Sequence, residues 1–335
     1  MRPCHRTETE RGERGTAMEK KQKIILDCDP GHDDAIALLL AARHPKLELL
    51  AITTVAGNQT LEKTTRNALS VCTLAHIRDV PVARGMAQPL AREARHAADI
   101  HGESGLDGPA LPQPEREPVP EHAVDLIIDL VRSTDEVVLV ATGPLTNVAS
   151  AITREPAILS RLKGLYLMGG AIGLGNVTPA AEFNIYFDPE AAAIVFNSGC
   201  PITMIPLEVT HQALATPSIL ERLRRLGRPV PSFVCQLLEF FGTTYRRAFG
   251  FAAPPVHDPC AVAALIDPTL VSRHSMYVAV ETRGEYTLGR TVCDVYGVLG
   301  RRTNAWVGYG LDVPRFWELL IGTLASYEEE DPSER

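Results

Sequence analysis

Residues 24–40 read IILDCDPGHDDAIALLL, four aspartates and a histidine between two apolar flanks. The left flank, KIILDCD from Lys23, has the continuous aliphatic run of a strand buried on both faces. The right flank, DDAIALLLAARH, is apolar enough for a buried helix, and Pro30-Gly31 makes the turn between them. A strand that passes at once into a helix opens an α/β unit with a parallel sheet. Asp27, Asp29, Asp33 and Asp34 all fall at that seam. Carboxylates so crowded repel one another and are costly to bury, so the seam requires a positive partner.

The alternation continues outward. LELLAITTVAGN reads as strand, LEKTTRNALSVCTLAH as helix, and VPVARG as a short strand. EHAVDLIIDLVRS is an amphipathic helix with Val124, Ile127, Ile128 and Val131 on one face. EVVLVATG is strand, LTNVASAIT helix, and GLYLMGG, PEAAAIVFNSG and PITMIPLEV follow. The fold class is therefore α/β: an open, mostly parallel, Rossmann-like sheet with helices on both faces. The strands end in DPGHDD, AGN, ATGPLTN and MGGAIGLGN, and in such a sheet ligands bind outside the carboxyl ends of the strands. Polar residues from distant segments thus converge on one edge.

The bulk properties exclude several classes. The chain has 335 residues, 45% hydrophobic and 22% charged, enough for one large α/β domain or two smaller ones. A formal net charge of −8 argues against a nucleic-acid binder. No apolar run reaches the roughly 20 residues of a membrane helix. Cysteines 4, 28, 72, 200, 235, 260 and 293 form no CxxC pair, which suggests reduced thiols in a cytoplasmic protein. The polar segment 1–20 lacks the apolar stretch of a signal peptide and reads as a disordered leader, with Met18 an alternative start. One domain is expected over 21–325, with a frayed acidic tail at 326–335. Between residues 86 and 122 no periodicity holds, and HGESGLDG at its centre reads as a mobile flap.

Three constellations carry chemistry. One acid at a helix start is explained by capping and the dipole, but Asp29, Asp33 and Asp34 together exceed it. An all-oxygen cluster favours a hard cation, Ca²⁺ or Mg²⁺, over zinc. The second is VHDPCAVAALI, in which Asp258-Pro259 makes an ordinary helix cap, yet His257 adjoins it and the sheet brings both toward the metal end. The third, NVTPAAEFN, offers Asn176, Glu182 and Asn184, residues suited to sugar hydroxyls and also common in loops. Ser104 in GESG completes no nucleophile elbow, GGAIGLG has the wrong glycine spacing for a dinucleotide loop, and H-E-x-x-H is absent. LDCDPG mimics the D-x-D strand end of haloacid-dehalogenase-like phosphatases, with Asp27 as nucleophile and Asp29 as acid/base, although a helix with two more aspartates follows here.

Taken together, DCDPGHDDAIALLLA, ITTVAGNQT, IHGESGLDG, ATGPLTNVA, LMGG, AEFNIYFDPEAA, LEVTHQALAT and VHDPC resemble the inosine-uridine nucleoside hydrolase family, from about Lys23 to Leu324. The resemblance implies hydrolysis of the N-glycosidic bond of purine or pyrimidine ribonucleosides, with Ca²⁺ held by Asp29, Asp34, Asp258 and the carbonyl of Thr142. It further implies Asp29 as the base that deprotonates water, and Asp33, Asn58, Asn176, Glu182 and Asn184 as the ribose grip, with Met168 beneath the sugar. His257 resembles the group that protonates the leaving base, and His101 the flap histidine. Asp27 is expected to orient its neighbours. Trp306 and Trp317 lie away from these motifs, which favours a broad or pyrimidine-leaning enzyme over a purine-only one. Tyr245 is a candidate base contact, while Phe241 and Phe249 stand where relatives are often polar. Relatives are commonly homodimers or homotetramers. A metal-dependent phosphatase and a non-catalytic ribonucleoside-binding module are the alternatives.

Overall fold

The computed structural model of the protein describes residues 20–327. The expected leader, apart from Lys20, and the expected acidic tail, apart from Ser326 and Tyr327, lie outside the described residues. In chain order the first half contains β1 (Gln22–Cys28), α1 (His32–Arg43), β2 (Leu47–Thr54), α2 (Leu61–Leu74) and β3 (Val82–Arg84). There follow α3 (Ala98–His101), α4 (Ala123–Ser133), β4 (Val138–Ala141), α5 (Thr146–Arg154) and β5 (Gly164–Met168). Next come α6 (Phe183–Phe187), α7 (Pro189–Phe196), β6 (Ile202–Ile205), α8 (Leu207–Thr210) and α9 (Pro217–Leu226). The remainder is α10 (Pro229–Phe249), α11 (Asp258–Ile266), β7 (Val271–Met276), β8 (Val278–Val280), β9 (Thr291–Cys293), β10 (Ala305–Leu311) and α12 (Val313–Ala325).

Eight strands form one sheet in the order β3-β2-β1-β4-β5-β6-β10-β7, parallel except where β7 runs against β10. The α/β reading from the sequence holds. β8 and β9 make a separate two-stranded antiparallel ribbon. Chain order runs outward from β1 toward β3 on one side and from β4 toward β6 on the other. The crevice between β1 and β4 is therefore a switch point, where the loops after the two strands diverge and leave room for a ligand.

Alternation along β1 sorts the core. Ile24, Leu26 and Cys28 face a cluster with α1, α2 and α9 to α12, while Ile25 faces a second cluster with α4, α5 and α7. Helix α1 is buried from His32 through Ala41, which is why its sequence is apolar almost all round instead of striped. Tyr327 closes this layer, its hydroxyl donating to the Leu39 carbonyl at 2.8 Å. Among the described residues no helix is long and apolar enough to cross a membrane. The segment after β3 carries only the single-turn α3, yet it is tied down: Val119 N–H donates to Val82 O, and the Asp188 carboxylate accepts from Leu90 N–H at 2.9 Å. Leu39 is fully buried in α1. Leu39→Ala is expected to lower the unfolding free energy by about 2–5 kcal/mol in denaturant titration, and a loss under about 1 kcal/mol would mean that this helix is not central to the core.

Candidate active site

Each expected site residue falls at the carboxyl edge of the sheet. Asp33, Asn58, His101, Thr142, Met168, Asn176, Glu182, Asn184, Tyr245, His257 and Asp258 line one cavity, and Asp29 and Asp34 lie buried beneath it. β1 delivers Asp29, the turn at Pro30-Gly31 starts α1, and Asp33 and Asp34 occupy its first turn. Asp34 folds back over that turn. It accepts from Gly31 N–H at 3.1 Å, Asp29 N–H at 3.3 Å, Asn58 Nδ2 at 3.1 Å and Thr142 Oγ1 at 2.8 Å. Its capping role is thus real, but four donors on one carboxylate fix it far more tightly than capping requires.

Asp29 is held by one oxygen only. Its Oδ2 accepts from Asn58 N–H at 2.7 Å, and its Oδ1 is buried without a partner. Two glycines make room for it. A Cβ on Gly57 would fall 2.0 Å from Asp29 Oδ2, and one on Gly143 would fall 2.6 Å from Oδ1. The glycines of AGN and ATGP are therefore explained by the carboxylate between them. Asp33 Oδ2 accepts from His257 N–H at 3.2 Å, which draws α11 and Asp258 to the cluster. Carboxylate oxygens of Asp33, Asp34 and Asp258 lie within 4.8 Å of one another.

Burial and then the charge of Asp34 push Asp33 up to about 7. Burial, and then the neighbouring carboxylates, hold Asp29 and Asp258 well above the usual range, and Asp34 is raised by burial despite its donors. The charges that act on these four are largely one another's. Oxygen donors, an orphaned buried Oδ1 and mutual repulsion fit a hard divalent cation, with Asp29, Asp33, Asp34 and Asp258 as the anionic wall. The tight grouping differs from the expected carboxylates in one member, Asp33 in place of Asp29, whose Oδ2 is taken by Asn58 N–H while its Oδ1 stays free.

On the opposite wall, Glu182 caps α6, accepting from Asn184 N–H at 2.9 Å, Ile185 N–H at 3.1 Å and Gly170 N–H at 2.8 Å. Burial raises it to about 7. Asn176 Oδ1 accepts from Phe183 N–H at 2.9 Å. Asn184 Nδ2 donates to the Thr142 carbonyl at 2.7 Å and to the Met168 carbonyl at 3.1 Å. Asn58 likewise turns its amide onto Asp29 and Asp34. These asparagines brace the strand ends as well as lining the cavity.

The third wall holds His257 between two hydroxyls, Thr210 Oγ1 at 2.7 Å from Nδ1 and Tyr245 Oη at 2.6 Å from Nε2. Burial lowers His257 to about 3, so its imidazole is neutral at neutral pH. Burial and then the Asp33, Asp258 and Glu182 charges raise Tyr245 well above 10, which keeps its hydroxyl protonated. Thr210 was not anticipated, because its contact with His257 spans 47 positions. Asp27 sits under the site. It accepts from Thr53 Oγ1 at 2.6 Å and Asn147 Nδ2 at 2.8 Å, and burial raises it to about 7. Thr53 and Asn147 both hold its Oδ1, and its Oδ2 is buried without a partner. Trp306 lies on the surface and Trp317 in the core, and neither lines the cavity.

Comparison with known proteins agrees with this geometry. The family model described as inosine-uridine preferring nucleoside hydrolase matches residues 24–318, and the chain belongs to that family. It is 52% identical over 307 residues to a protein of Shewanella sp. (strain MR-7) named pyrimidine-specific ribonucleoside hydrolase RihA, covering 91% of this chain and 96% of that one. A protein of Photobacterium profundum with the same name is 49% identical over 306 residues, covering 91% and 99%. Among solved structures, the purine-preferring ribonucleoside hydrolase from Gardnerella vaginalis superposes with a TM-score of 0.86 at 36% identity, covering 91% of this chain and 98% of that one. A plant nucleoside hydrolase, PpNRh1, gives 0.85 at 34%, covering 91% and 99%. The protein is thus a ribonucleoside hydrolase, an N-glycosyl hydrolase.

Two outcomes follow. Gly143→Ala forces its Cβ onto the Asp29 carboxylate, and a displacement of this size is expected to cut turnover about 100-fold with the fold retained; unchanged turnover would dissociate Asp29 from the reaction. The second concerns pH. Carboxylates raised by the fold bind protons that the unfolded chain has released, so without a cation they cost the folded state stability as pH rises above the usual carboxylate range, through about 7 for Asp33. A cation relieves this only where they are ionised. The rise in unfolding midpoint on adding Ca²⁺ should therefore be larger at pH 8 than at pH 5.5, and an equal or reversed rise contradicts the cluster as a cation site.

Proposed function

We propose that this ribonucleoside hydrolase prefers pyrimidine nucleosides, uridine and cytidine, over inosine, and works with one Ca²⁺ held by Asp29, Asp34, Asp258 and the Thr142 carbonyl, with Asp33 alongside. The observation that carries the reading is the orphaned Oδ1 of Asp29, buried beside the carboxylates Asp33 and Asp258 that line a cavity shared with the paired Tyr245 and His257. Base preference is supported by the name that its half-identical relatives bear and by a cavity without tryptophan. The bound ion would supply positive charge that acidifies the attacking water and anchors the ribose 2′- and 3′-hydroxyls.

The chain's own residues do the remainder. Asp29 takes the proton of the attacking water on Oδ1, the oxygen that no protein donor occupies, while Asn58 N–H holds Oδ2 still. As the glycosidic bond breaks, positive charge grows on the ribose, and the carboxylates around it stabilise that charge in a site fixed beforehand. Asn176, Glu182 and Asn184 grip the sugar, with Met168 beneath it and His101 at the flap. The base leaves more easily as a neutral molecule. Tyr245 and His257, 2.6 Å apart, form the relay that passes a proton to the leaving base, and the proton that Asp29 draws from the water returns through solvent to restore that relay.

The six described cysteines are free thiols, which supports a reducing, cytoplasmic setting. Assembly into a homodimer or homotetramer is supported by exposed apolar side chains at Tyr296, Val298 and Leu299.

Ribose release from uridine, cytidine and inosine in parallel, with Asp29→Ala as control, tests the reading. Expected are pyrimidine kcat/KM values at least about 10-fold above that of inosine, and loss of at least about 1,000-fold in Asp29→Ala. Equal rates on all three would remove the pyrimidine preference, and an active Asp29→Ala would remove the assigned base.

A further inference from the structure

His32 stands between Gly31 and the two helix-entry aspartates, yet it lines no part of the cavity. Its buried ring touches three separate parts of the fold. Nε2 lies 2.8 Å from the Asp107 carbonyl oxygen, and because a carbonyl only accepts, Nε2 carries the proton and donates. The His32 backbone N–H donates to His101 Nδ1 at 3.3 Å, and the His32 ring Nδ1 lies 3.2 Å from that same nitrogen. The ring also stacks nearly parallel on Phe240 and Phe241 of α10, with centroids 5.3 and 5.1 Å away. Phe241 and His101, themselves stacked at 5.2 Å, both line the cavity.

The segment 102–107 that His32 meets is a built turn. The Asp107 carboxylate accepts from Glu103 N–H at 3.0 Å, Ser104 N–H at 3.1 Å and Ser104 Oγ. α2 and the residues before it reach it from the other side, through Gln59 to the Gly102 carbonyl and Asn67 to the Ser104 carbonyl, both at 2.9 Å. His101 itself approaches the strand-end turn so closely that a Cβ on Gly31 would fall 2.5 Å from its Nδ1. Thus the residue adjoining the carboxylates in sequence also clamps the flap turn and the aromatic wall.

We propose that His32 is a positioning residue for this hydrolase: it holds the 102–107 turn, and through it His101 and Phe241, in register with the carboxylate loop. The inference rests on the hydrolase activity only for its kinetic readout. A ring that merely filled space could be replaced by another ring, whereas a clamp requires a donor to the Asp107 carbonyl. The two are separated by His32→Ala, His32→Phe and His32→Gln, whose amide can donate where Nε2 does.

The experiment combines ribose-release kinetics with hydrogen exchange of the 101–107 amides on the same proteins. Expected for His32→Ala is a KM raised about 10-fold with kcat within about 3-fold, exchange at 101–107 faster by about 10-fold, and unchanged exchange in β1. His32→Gln should recover KM and protection and His32→Phe should not, a comparison that stands even if His32→Ala does not fold. In the double variant His32→Ala/His101→Ala the KM should match that of His101→Ala alone, because one acts through the other. Wild-type KM and protection in His32→Ala, equal behaviour of the Gln and Phe variants, or additive effects in the double variant would overturn the proposal. If the wild type releases no ribose, the hydrolase reading fails, and the exchange rates alone decide for or against the clamp.

Discussion

The structure depends on holding like charges together. Asp29, Asp33, Asp34 and Asp258 are buried in one crevice, where burial and their mutual field all disfavour the ionised forms. The backbone supplies what offsets this. α1 aims the positive end of its dipole at the crevice, and N–H groups of Asp29, Gly31, Asn58 and His257 donate to three of the four carboxylates. The site is prepared for a cation by geometry that exists without one.

Much of the surrounding architecture follows from that constraint. The switch point between β1 and β4 gives the crevice its opening, and Gly57 and Gly143 give Asp29 its space. α11 is drawn in by the bond from His257 N–H to Asp33, so the same residue that faces Tyr245 also docks Asp258 against the cluster. Asn184 ties the loop after β4 to the end of β5 through the Thr142 and Met168 carbonyls. The carboxylate cluster, the Asn184 side and the His257–Tyr245 side of the cavity are therefore mechanically linked through single side chains, and a change at one is transmitted to the others.

The parts legible in the sequence are those written locally. The run from Ile24 to Leu40 holds a complete strand, turn and helix, so its period and its carboxylates could be read without the fold. The strand ends AGN, ATGP and LMGG announced the edge on which the site lies. What the sequence could not show required distant partners. β10 enters the sheet between β6 and β7, a placement decided by long-range packing. Asp27 reads as a residue that orients its neighbours, but its partners Thr53 and Asn147 lie 26 and 120 positions away and only the structure names them. Asn58 and Asn184 read as sugar partners, and only the structure shows their amides bracing carboxylates and carbonyls. His32 passed as part of a motif, because its partner Asp107 lies 75 positions on.

The central claim is that the buried carboxylates form a site for one hard cation per chain. Calorimetric titration of chelator-treated protein with Ca²⁺, repeated in buffers of different ionisation enthalpy near pH 7, tests it most directly. The claim predicts saturation at one ion per chain with release of protons to the buffer, because Asp33, raised to about 7, and its neighbours, held above the usual carboxylate range, must ionise to bind it. No saturable binding, or binding without proton release, would contradict it.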